Sequence, residues 1–282
     1  MRGKADHIMR LPCLLLLTLL TANLSAAEPW PPAGEPRESL WTQVDDAIAR
    51  GLPRTAIAVL DQIIPGALAD QAHAEATKAI CVKIALEGQI QGGKVEEMIV
   101  RLEPQLAEAP EPMKPVMEVV LAHWYWRYFQ QNRWRFIQRT QTAEPTGADL
   151  TTWDLPRILA EIDRHFTLAL ATDQLIKAIP IAQWDDLLEK GTVPDSYRPT
   201  LYDFLAQEAL SFYSAGEQVA ALPQDAFEFM ADSPIFSPVA EFLGWEPQTS
   251  DTDSAKLKAI RLYQALLLFH QDDSDKSAFI DA

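Results

Sequence analysis

The chain has 282 residues and a formal net charge of −16 at pH 7, and nearly half of its residues are hydrophobic. An acidic surface argues against nucleic-acid binding, which concentrates Lys and Arg on one face, and against adsorption to anionic lipid. The length is sufficient for one large domain or two modest ones with a substantial core.

The first 27 residues have the three parts of a secretory signal peptide. Basic residues in the first ten positions precede an apolar run over residues 11–20, which is too short for a membrane-spanning helix of about 20 residues. Cleavage is therefore favoured over retention as an uncleaved anchor. We expect an exported protein, periplasmic or envelope-associated, with no membrane span after cleavage. The expected cleavage point lies near three residues: Ala26, Ala27 and Glu28.

Removal of the signal peptide takes away three basic and one acidic side chain, so the net charge falls from −16 to −18. It also removes Cys13 and leaves Cys81 as the only cysteine, which excludes an internal disulfide. Cys81 lies in an apolar run, so a small buried side chain is favoured over a reactive thiol.

From residue 38 onward, apolar residues recur at helical spacing after a Pro-rich linker over residues 28–37. The first helix should end at Gly51, and the second should begin at Pro53 and end at Pro65-Gly66. A third segment, over residues 69–90, should close at Gly92-Gly93. Further helices are predicted over residues 95–106, 116–131, 155–172, 181–189, 200–214 and 255–270.

No segment shows the alternation of apolar and polar residues that is typical of a strand. We therefore predict an all-α fold of stacked antiparallel helical hairpins, either an irregular α-solenoid or a helical bundle. Its N-terminal end resembles a degenerate tetratricopeptide unit. The expected divisions are N-terminal hairpins over 38–112, a central region with an aromatic core over 113–246, a flexible linker over 247–254 and a C-terminal helix within 255–282.

Residues 225–254 differ from the rest because they are rich in Pro and polar residues. We expect an ordered irregular loop here, followed by the flexible linker. The chain also ends without a helix-capping pattern, so we expect a truncated reading frame. The expected anchors of the loop are aromatic: Phe227, Phe229, Phe236, Phe242 and Trp245.

The motifs of common catalytic and metal sites are not found. There is no His-Glu-x-x-His pair, no Gly-x-Ser-x-Gly elbow, no phosphate-binding glycine loop and no paired-cysteine motif. Acidic runs at 251–253 and 272–275 lack the glycine and distal glutamate of a calcium loop. We therefore expect no catalytic residue, no bound cofactor and no metal site.

One dense constellation combines aromatic residues with arginines. It could form a stacking platform for nucleic acid or glycan. The favoured interpretation is structural, with Arg127, Arg133, Arg135 and Arg139 paired with carboxylates. The aromatic residues expected in the core are Trp124, Tyr125, Tyr128, Phe129 and Trp153. The expected carboxylates are Asp149, Asp154, Glu161 and Asp163. The cluster comprises Trp124, Tyr125, Tyr128, Phe129, Arg133, Trp134, Arg139, Trp153 and Asp154.

Several segments resemble the amino-terminal region of large bacterial alpha-2-macroglobulin family proteins. The residues around Trp41 and Gly51-Leu52-Pro53, those from Gln71 to Ala79, and Thr152-Trp153-Asp154 belong to this likeness, as do Trp124 to Thr140. The likeness runs from about Glu38 to His270. Its most specific part continues to Leu210 and begins with Tyr197, Arg198, Pro199, Thr200, Leu201, Tyr202, Asp203 and Phe204.

The resemblance implies a helical domain ahead of β-sandwich modules in an exported protease-trapping protein of an endopeptidase-inhibitor family. Members trap proteases after cleavage of a bait segment, and many use a Cys–Gln thioester. This chain lacks the thioester motif, since Val82 follows Cys81, and it shows no run of strands. No inhibitory residue is therefore carried over, and the expected partners are downstream macroglobulin-type domains or proteases.

Three functional hypotheses follow. The first is a non-catalytic scaffold or interaction domain of a macroglobulin-like protein. The second is a free-standing periplasmic adaptor that binds peptides or proteins in a helical-repeat groove. The third is an α-helical glycan-processing enzyme, which would need two carboxylates in an aromatic-lined cleft.

Overall fold

A computed structural model describes residues 37–138, 149–216 and 225–282 of the chain. The described residues form twelve α-helices and no strand, which confirms the predicted all-α class. The helices are α1 (Glu38–Ala49), α2 (Pro53–Ala69), α3 (His73–Ile90), α4 (Val95–Glu108), α5 (Lys114–Gln131), α6 (Arg133–Gln138), α7 (Leu155–Leu170), α8 (Asp173–Lys177), α9 (Leu201–Tyr213), α10 (Val239–Leu243), α11 (Ala255–His270) and α12 (Ser277–Asp281).

The long helices pack mainly on their neighbours in the chain. α1 packs on α2, α2 on α3 and α4 on α5, while α7 lies against α5 and α11 against α9. Three hydrophobic cores result: one within α1–α3, a large central one, and a smaller one in the last 58 residues around Phe227, Phe242 and Leu257. The arrangement is a series of helical hairpins in which Ile64 packs against the first and central cores and Tyr263 against the central and C-terminal ones.

Local sequence accounts for several helix boundaries. Gly51, with φ of +68°, follows α1, and its N–H bonds to the carbonyl of Ile48. This left-handed conformation favours glycine because it has no Cβ. Pro53 then opens α2 in the first turn, where its missing N–H costs nothing.

The second helix extends beyond its predicted end at Pro65-Gly66 and continues to Ala69. Tertiary contacts explain this difference. A Cβ on Gly66 would lie 3.0 Å from the guanidinium of Arg37, so the glycine leaves room for that side chain. Arg37 pairs with Asp70 at the end of the helix (2.7 Å) and with Glu75 at the start of α3 (2.6 Å). These ion pairs hold the corner between α1, α2 and α3.

The predicted helix over residues 181–189 is wrong in extent, because only a 3-10 turn forms at Ile181–Trp184. Here the backbone bonds to a distant segment. The N–H of Ile181 donates to the carbonyl of Pro199, and the N–H of Leu201 donates to Ile179, each at 2.9 Å. These bonds make an isolated antiparallel bridge next to the start of α9.

The segment between residues 225 and 254 is only partly anchored as predicted. Phe227 and Phe242 are buried and Trp245 is half-buried, but Phe229 and Phe236 are exposed. The predicted linker over 247–254 contacts this loop, since Asp251 accepts a hydrogen bond from the N–H of Phe227 at 2.9 Å. Phe227 and Phe242 therefore anchor the loop in the C-terminal core, whereas Phe229 and Phe236 face solvent.

Candidate functional site

The aromatic residues of α5 lie in the central core. Trp124 is fully buried, and Tyr125, Tyr128 and Phe129 are at most 2% exposed. Trp153, which precedes α7, stacks on Tyr125 with ring centroids 5.8 Å apart. These side chains are unavailable as a stacking platform for a ligand.

The other members of the aromatic and arginine cluster lie outside this core or outside the described residues. Trp134 on α6 is 74% exposed and stands between the exposed Arg133 and Arg135. Arg135 donates to the carbonyl of Thr151 at 3.2 Å. Arg139 lies outside the described residues.

Three of the four carboxylates expected to pair with these arginines have other partners. Asp154 caps α7 by accepting from the N–H of Arg157 at 3.0 Å. Glu161 pairs with Arg164 at 2.7 Å, and Asp163 pairs with Lys258 of α11 at the same distance. Within the described ranges, neither Arg127 nor Arg133 forms an ion pair. The expected pairing is therefore wrong for Arg127 and Arg133, because proximity in sequence does not decide which charges meet in the fold; the pairing of Arg139 stays a prediction.

A set of histidine–carboxylate contacts was missed in the sequence. His123 of α5 contacts Glu208 of α9 at 2.6 Å, and His165 of α7 contacts Glu118 of α5 at 2.5 Å. His270 of α11 contacts Asp203 of α9 at 2.7 Å. The first two contacts link helices of the central region, and the third links α11 to that region.

The partners in these contacts lie 85, 47 and 67 residues apart in the sequence. No local motif could have revealed them. The available signal was the position of each histidine beside apolar residues in a predicted helix, which indicates burial and therefore a need for a polar partner.

His270 has carboxylates at both ring nitrogens, Asp203 at Nε2 and Asp273 at Nδ1, each at 2.7 Å. Burial by itself lowers the pKa of His270, but the hydrogen bonds to Asp203 and Asp273 outweigh it and leave the pKa above its ordinary value. The two carboxylates therefore favour the charged imidazolium form of His270.

His165 is buried, and the groups around it stack on it or hydrogen-bond within the protein. Tyr125 stacks on the imidazole at 5.3 Å, and its hydroxyl donates to Glu103 at 2.8 Å. Burial, followed by that hydrogen bond, raises the pKa of Tyr125 well above its usual range. Glu118 and Glu161 both contact His165, which is itself about 1% exposed. A residue that takes part in acid–base catalysis must contact the substrate, and His165 is buried away from solvent.

The segment from Tyr197 to Phe204 connects the central and C-terminal cores. Thr200 and Asp203 form a reciprocal capping box at the start of α9. Arg198 reaches Asp281 of α12 at 2.9 Å, and Lys177 lies 4.6 Å from the ring of Tyr202. Leu201 and Phe204 are buried, and Pro199 supplies the carbonyl bonded by Ile181. These contacts are structural.

The described surface also contains a groove between α2, α3 and α4, with a volume of about 430 Å³. Its charged side chains form two ion pairs at its edges, Lys83 with Asp61 and Arg101 with Glu87, each at 2.6 Å. Val100, at 60% exposure, is the most open apolar side chain in it. The groove is lined by Asp61, Ile64, Pro65, Ile80, Lys83, Ile84, Glu87, Val100, Arg101, Pro104 and Gln105.

Metal and membrane sites were also sought in the part of the chain that the structure describes. No group of three or more His, Cys, Asp or Glu residues there could hold a metal ion. In the same residues, no helix combines the length and apolar character needed to cross a bilayer. The expected signal-cleavage residues Ala26, Ala27 and Glu28 lie outside the described ranges.

Comparison with known proteins identifies no relative. No protein-family model matches the chain, and no curated protein and no solved structure matches it.

Proposed function

We propose that the chain is an exported, non-catalytic protein-interaction module whose α2–α3–α4 groove binds an extended segment of a protein partner. The groove is the observation that carries the proposal. Stacked helix pairs offer concave surfaces of this kind, and such surfaces bind peptides in helical-repeat proteins. Apolar side chains at its floor provide contact area, and the paired charges at its edges provide hydrogen-bonding groups.

The paired charges favour an extended peptide over a small charged ligand. Lys83 and Arg101 are already neutralised by Asp61 and Glu87, so the groove presents no uncompensated charge for an isolated anion or cation. A peptide backbone carries alternating donors and acceptors, which such a neutral polar edge can satisfy. Peptides selected from a random display library against the purified chain would reveal this binding.

The groove test uses Val100→Arg, which fills the opening with a charged side chain. The selected peptides should bind this variant at least about tenfold more weakly, because central apolar contacts dominate such interfaces. Val193→Arg is the matched control, since Val193 is 37% exposed and does not line the groove. Equal binding by both variants, measured by fluorescence anisotropy, would exclude the groove.

We further propose that this module is the leading domain of a macroglobulin-like protease-trapping protein. The support is the resemblance of Tyr197 to Phe204 and of the flanking segments. The test is the DNA downstream of the Ala282 codon, where coding sequence for many sandwich-type strands is expected. An unrelated neighbouring gene would contradict the family while leaving the groove function intact.

In the same proposal the isolated chain does not inhibit proteases, because it has no thioester motif. Casein hydrolysis by trypsin should proceed at an unchanged rate in the presence of the purified chain. Inhibition would contradict the assignment as a non-inhibitory leading domain. If the downstream sequence is unrelated and the groove binds peptides, a free-standing periplasmic adaptor becomes the better description.

A further inference from the structure

A second surface, separate from the groove, lies on the loop between α9 and α11. Its four exposed apolar side chains are Phe229 (38% exposed), Met230 (68%), Phe236 (67%) and Val239 (42%). We call these four residues the aromatic patch. The rings of Phe229 and Phe236 lie 6.1 Å apart, so these two side chains form one surface across the turn, and Met230 is the chain neighbour of Phe229. Contiguous exposed apolar surface of this kind marks interaction sites.

The loop that carries the patch packs on the smaller C-terminal core. Phe227 and Phe242 point into that core, and Asp251 fixes the backbone N–H of Phe227. Ser233 closes the turn, accepting at its hydroxyl from the N–H of Met230 (2.7 Å) and at its carbonyl from the N–H of Phe236 (3.1 Å). The exposed side chains therefore stand on a fixed support and are not needed to fill the core.

The surroundings of the patch are mainly acidic. Residues 225–255 contain seven acidic residues and no Lys or Arg. Asp232 and Glu241, which flank the patch in sequence, are exposed and form no ion pair among the described residues. Lys256 lies over the ring of Phe229 at 5.9 Å and is already paired with Glu228 at 2.5 Å, so its charge is compensated. The faces of exposed aromatic rings also attract cations.

We propose that the aromatic patch docks a protein segment whose apolar side chains are flanked by Lys or Arg. Apolar contacts with Met230 and Phe236 provide the buried area, and Asp232 and Glu241 pair with the flanking cations. A partner of this chemistry is complementary in both hydrophobicity and charge, which favours association and its specificity.

Two other occupants fit the same surface less well. A second copy of the chain, docked patch to patch, would bring two acidic surrounds together and lose free energy by repulsion. An anionic membrane would repel the same carboxylates. Both are distinguishable outcomes of the experiment below.

The probe is a fluorescein-labelled amphipathic Leu/Lys peptide of about 14 residues, long enough to form a short helix. Its binding to the purified chain is measured by fluorescence anisotropy at about 0.15 M salt, where general long-range attraction is screened. The patch variant carries Met230→Ser and Phe236→Ser. Trp134→Ser is the matched control, because Trp134 is equally exposed but lies between two arginines.

The expected result is a loss of affinity of at least about tenfold in the patch variant, with the Trp134→Ser control unchanged. A charge-reversal variant, Asp232→Lys with Glu241→Lys, should weaken binding similarly and shift preference toward a Leu/Glu peptide. Urea unfolding of each variant checks that the fold is retained.

Several results would overturn the proposal. No binding of the Leu/Lys peptide, or equal binding to the patch variant and wild type, would show that the patch does not dock such a segment. Dimerisation of the wild type in sedimentation analysis, abolished in the patch variant, would identify a second copy as the occupant. Patch-dependent cosedimentation with phosphatidylserine-containing vesicles would identify a membrane.

Discussion

Several polar residues in this protein contact partners that are far away in the sequence. Each of the three histidine–carboxylate contacts joins two helices, and each histidine is largely shielded from solvent. Burial makes an unpaired polar group costly, so removal of one partner costs more than the bond itself contributes. At this scale, the sequence identifies which residues need partners but not which partners they find.

His270 gives a prediction with a defined sign. Its folded pKa is raised above the unfolded value, so its contribution to stability is fully present below the unfolded pKa and is lost as pH rises through the folded pKa. The stability difference between wild type and His270→Gln should therefore shrink as the pH rises above the ordinary histidine pKa of about 6.5. Urea unfolding across that range measures it.

His73→Gln is the control for this experiment, because burial lowers the pKa of His73. A lowered histidine pKa works in the opposite direction: the charged form is disfavoured in the fold, so stability falls as pH drops. The free energy of unfolding of the wild type should therefore fall relative to that of His73→Gln as the pH is lowered. The same pH trend in both variants would contradict the assigned environments.

Two tryptophans provide a second prediction at the residue scale. Trp124 is fully buried whereas Trp134 is 74% exposed. Trp124→Ala should lower the free energy of unfolding by about 3–5 kcal/mol through lost burial and the cavity left behind. Trp134→Ala should change it by no more than about 0.5 kcal/mol. A loss below about 1 kcal/mol for Trp124→Ala in urea melts would be incompatible with its place in the core.

At the scale of the element, local sequence decides where a helix ends only when tertiary contacts do not intervene. The helix predicted over residues 255–270 forms with the same bounds as α11, because the preceding polar run and its own apolar spacing agree. The helix predicted over 181–189 does not form in full, because its backbone bonds to residues 199–201. Pro65-Gly66 does not end α2, since Arg37 packs there.

The two glycines Gly51 and Gly244 predict opposite effects of substitution by alanine. Gly51 has φ of +68°, so Gly51→Ala should cost about 1 kcal/mol in the turn after α1. Gly244 has φ of −85°, and an added Cβ would meet its nearest atom at an ordinary 3.7 Å. Gly244→Ala should therefore be neutral or stabilising by up to about 1 kcal/mol. Thermal unfolding of both variants tests the contrast, and equal destabilisation would contradict it.

At the scale of the whole molecule, the boundary between the central and C-terminal cores lies at α11, whose Leu262 and Leu266 belong to the central core and whose Leu257, Ile260 and Leu267 belong to the C-terminal one. Ion pairs add to these apolar contacts at the boundary. Lys258–Asp163, Arg198–Asp281 and His270–Asp203 all cross it. The C-terminal core itself is small, with five buried residues. Small cores open at lower free energy than large ones, so local stability should differ between these parts.

Hydrogen exchange measured by mass spectrometry should therefore show the slowest amides in α5, which packs between α4 and α7. Amides of α10 and α12 should exchange faster. Asp163→Asn, which weakens the Lys258 bridge, should accelerate exchange in α11 while leaving α5 unchanged. Identical protection throughout, or equal acceleration everywhere, would indicate one cooperative unit instead.

The sequence by itself determined the fold class, most helix positions and the burial of Trp124, Tyr128 and Trp153. These depend on periodicity and composition, which act over a few residues. The tertiary structure decided the histidine partners, the carboxylates' roles, the groove between α2, α3 and α4, and the exposure of Phe229 and Phe236. The physical reason is that such features arise from side chains far apart in the chain. Their meeting depends on how helices pack, and no local pattern encodes it.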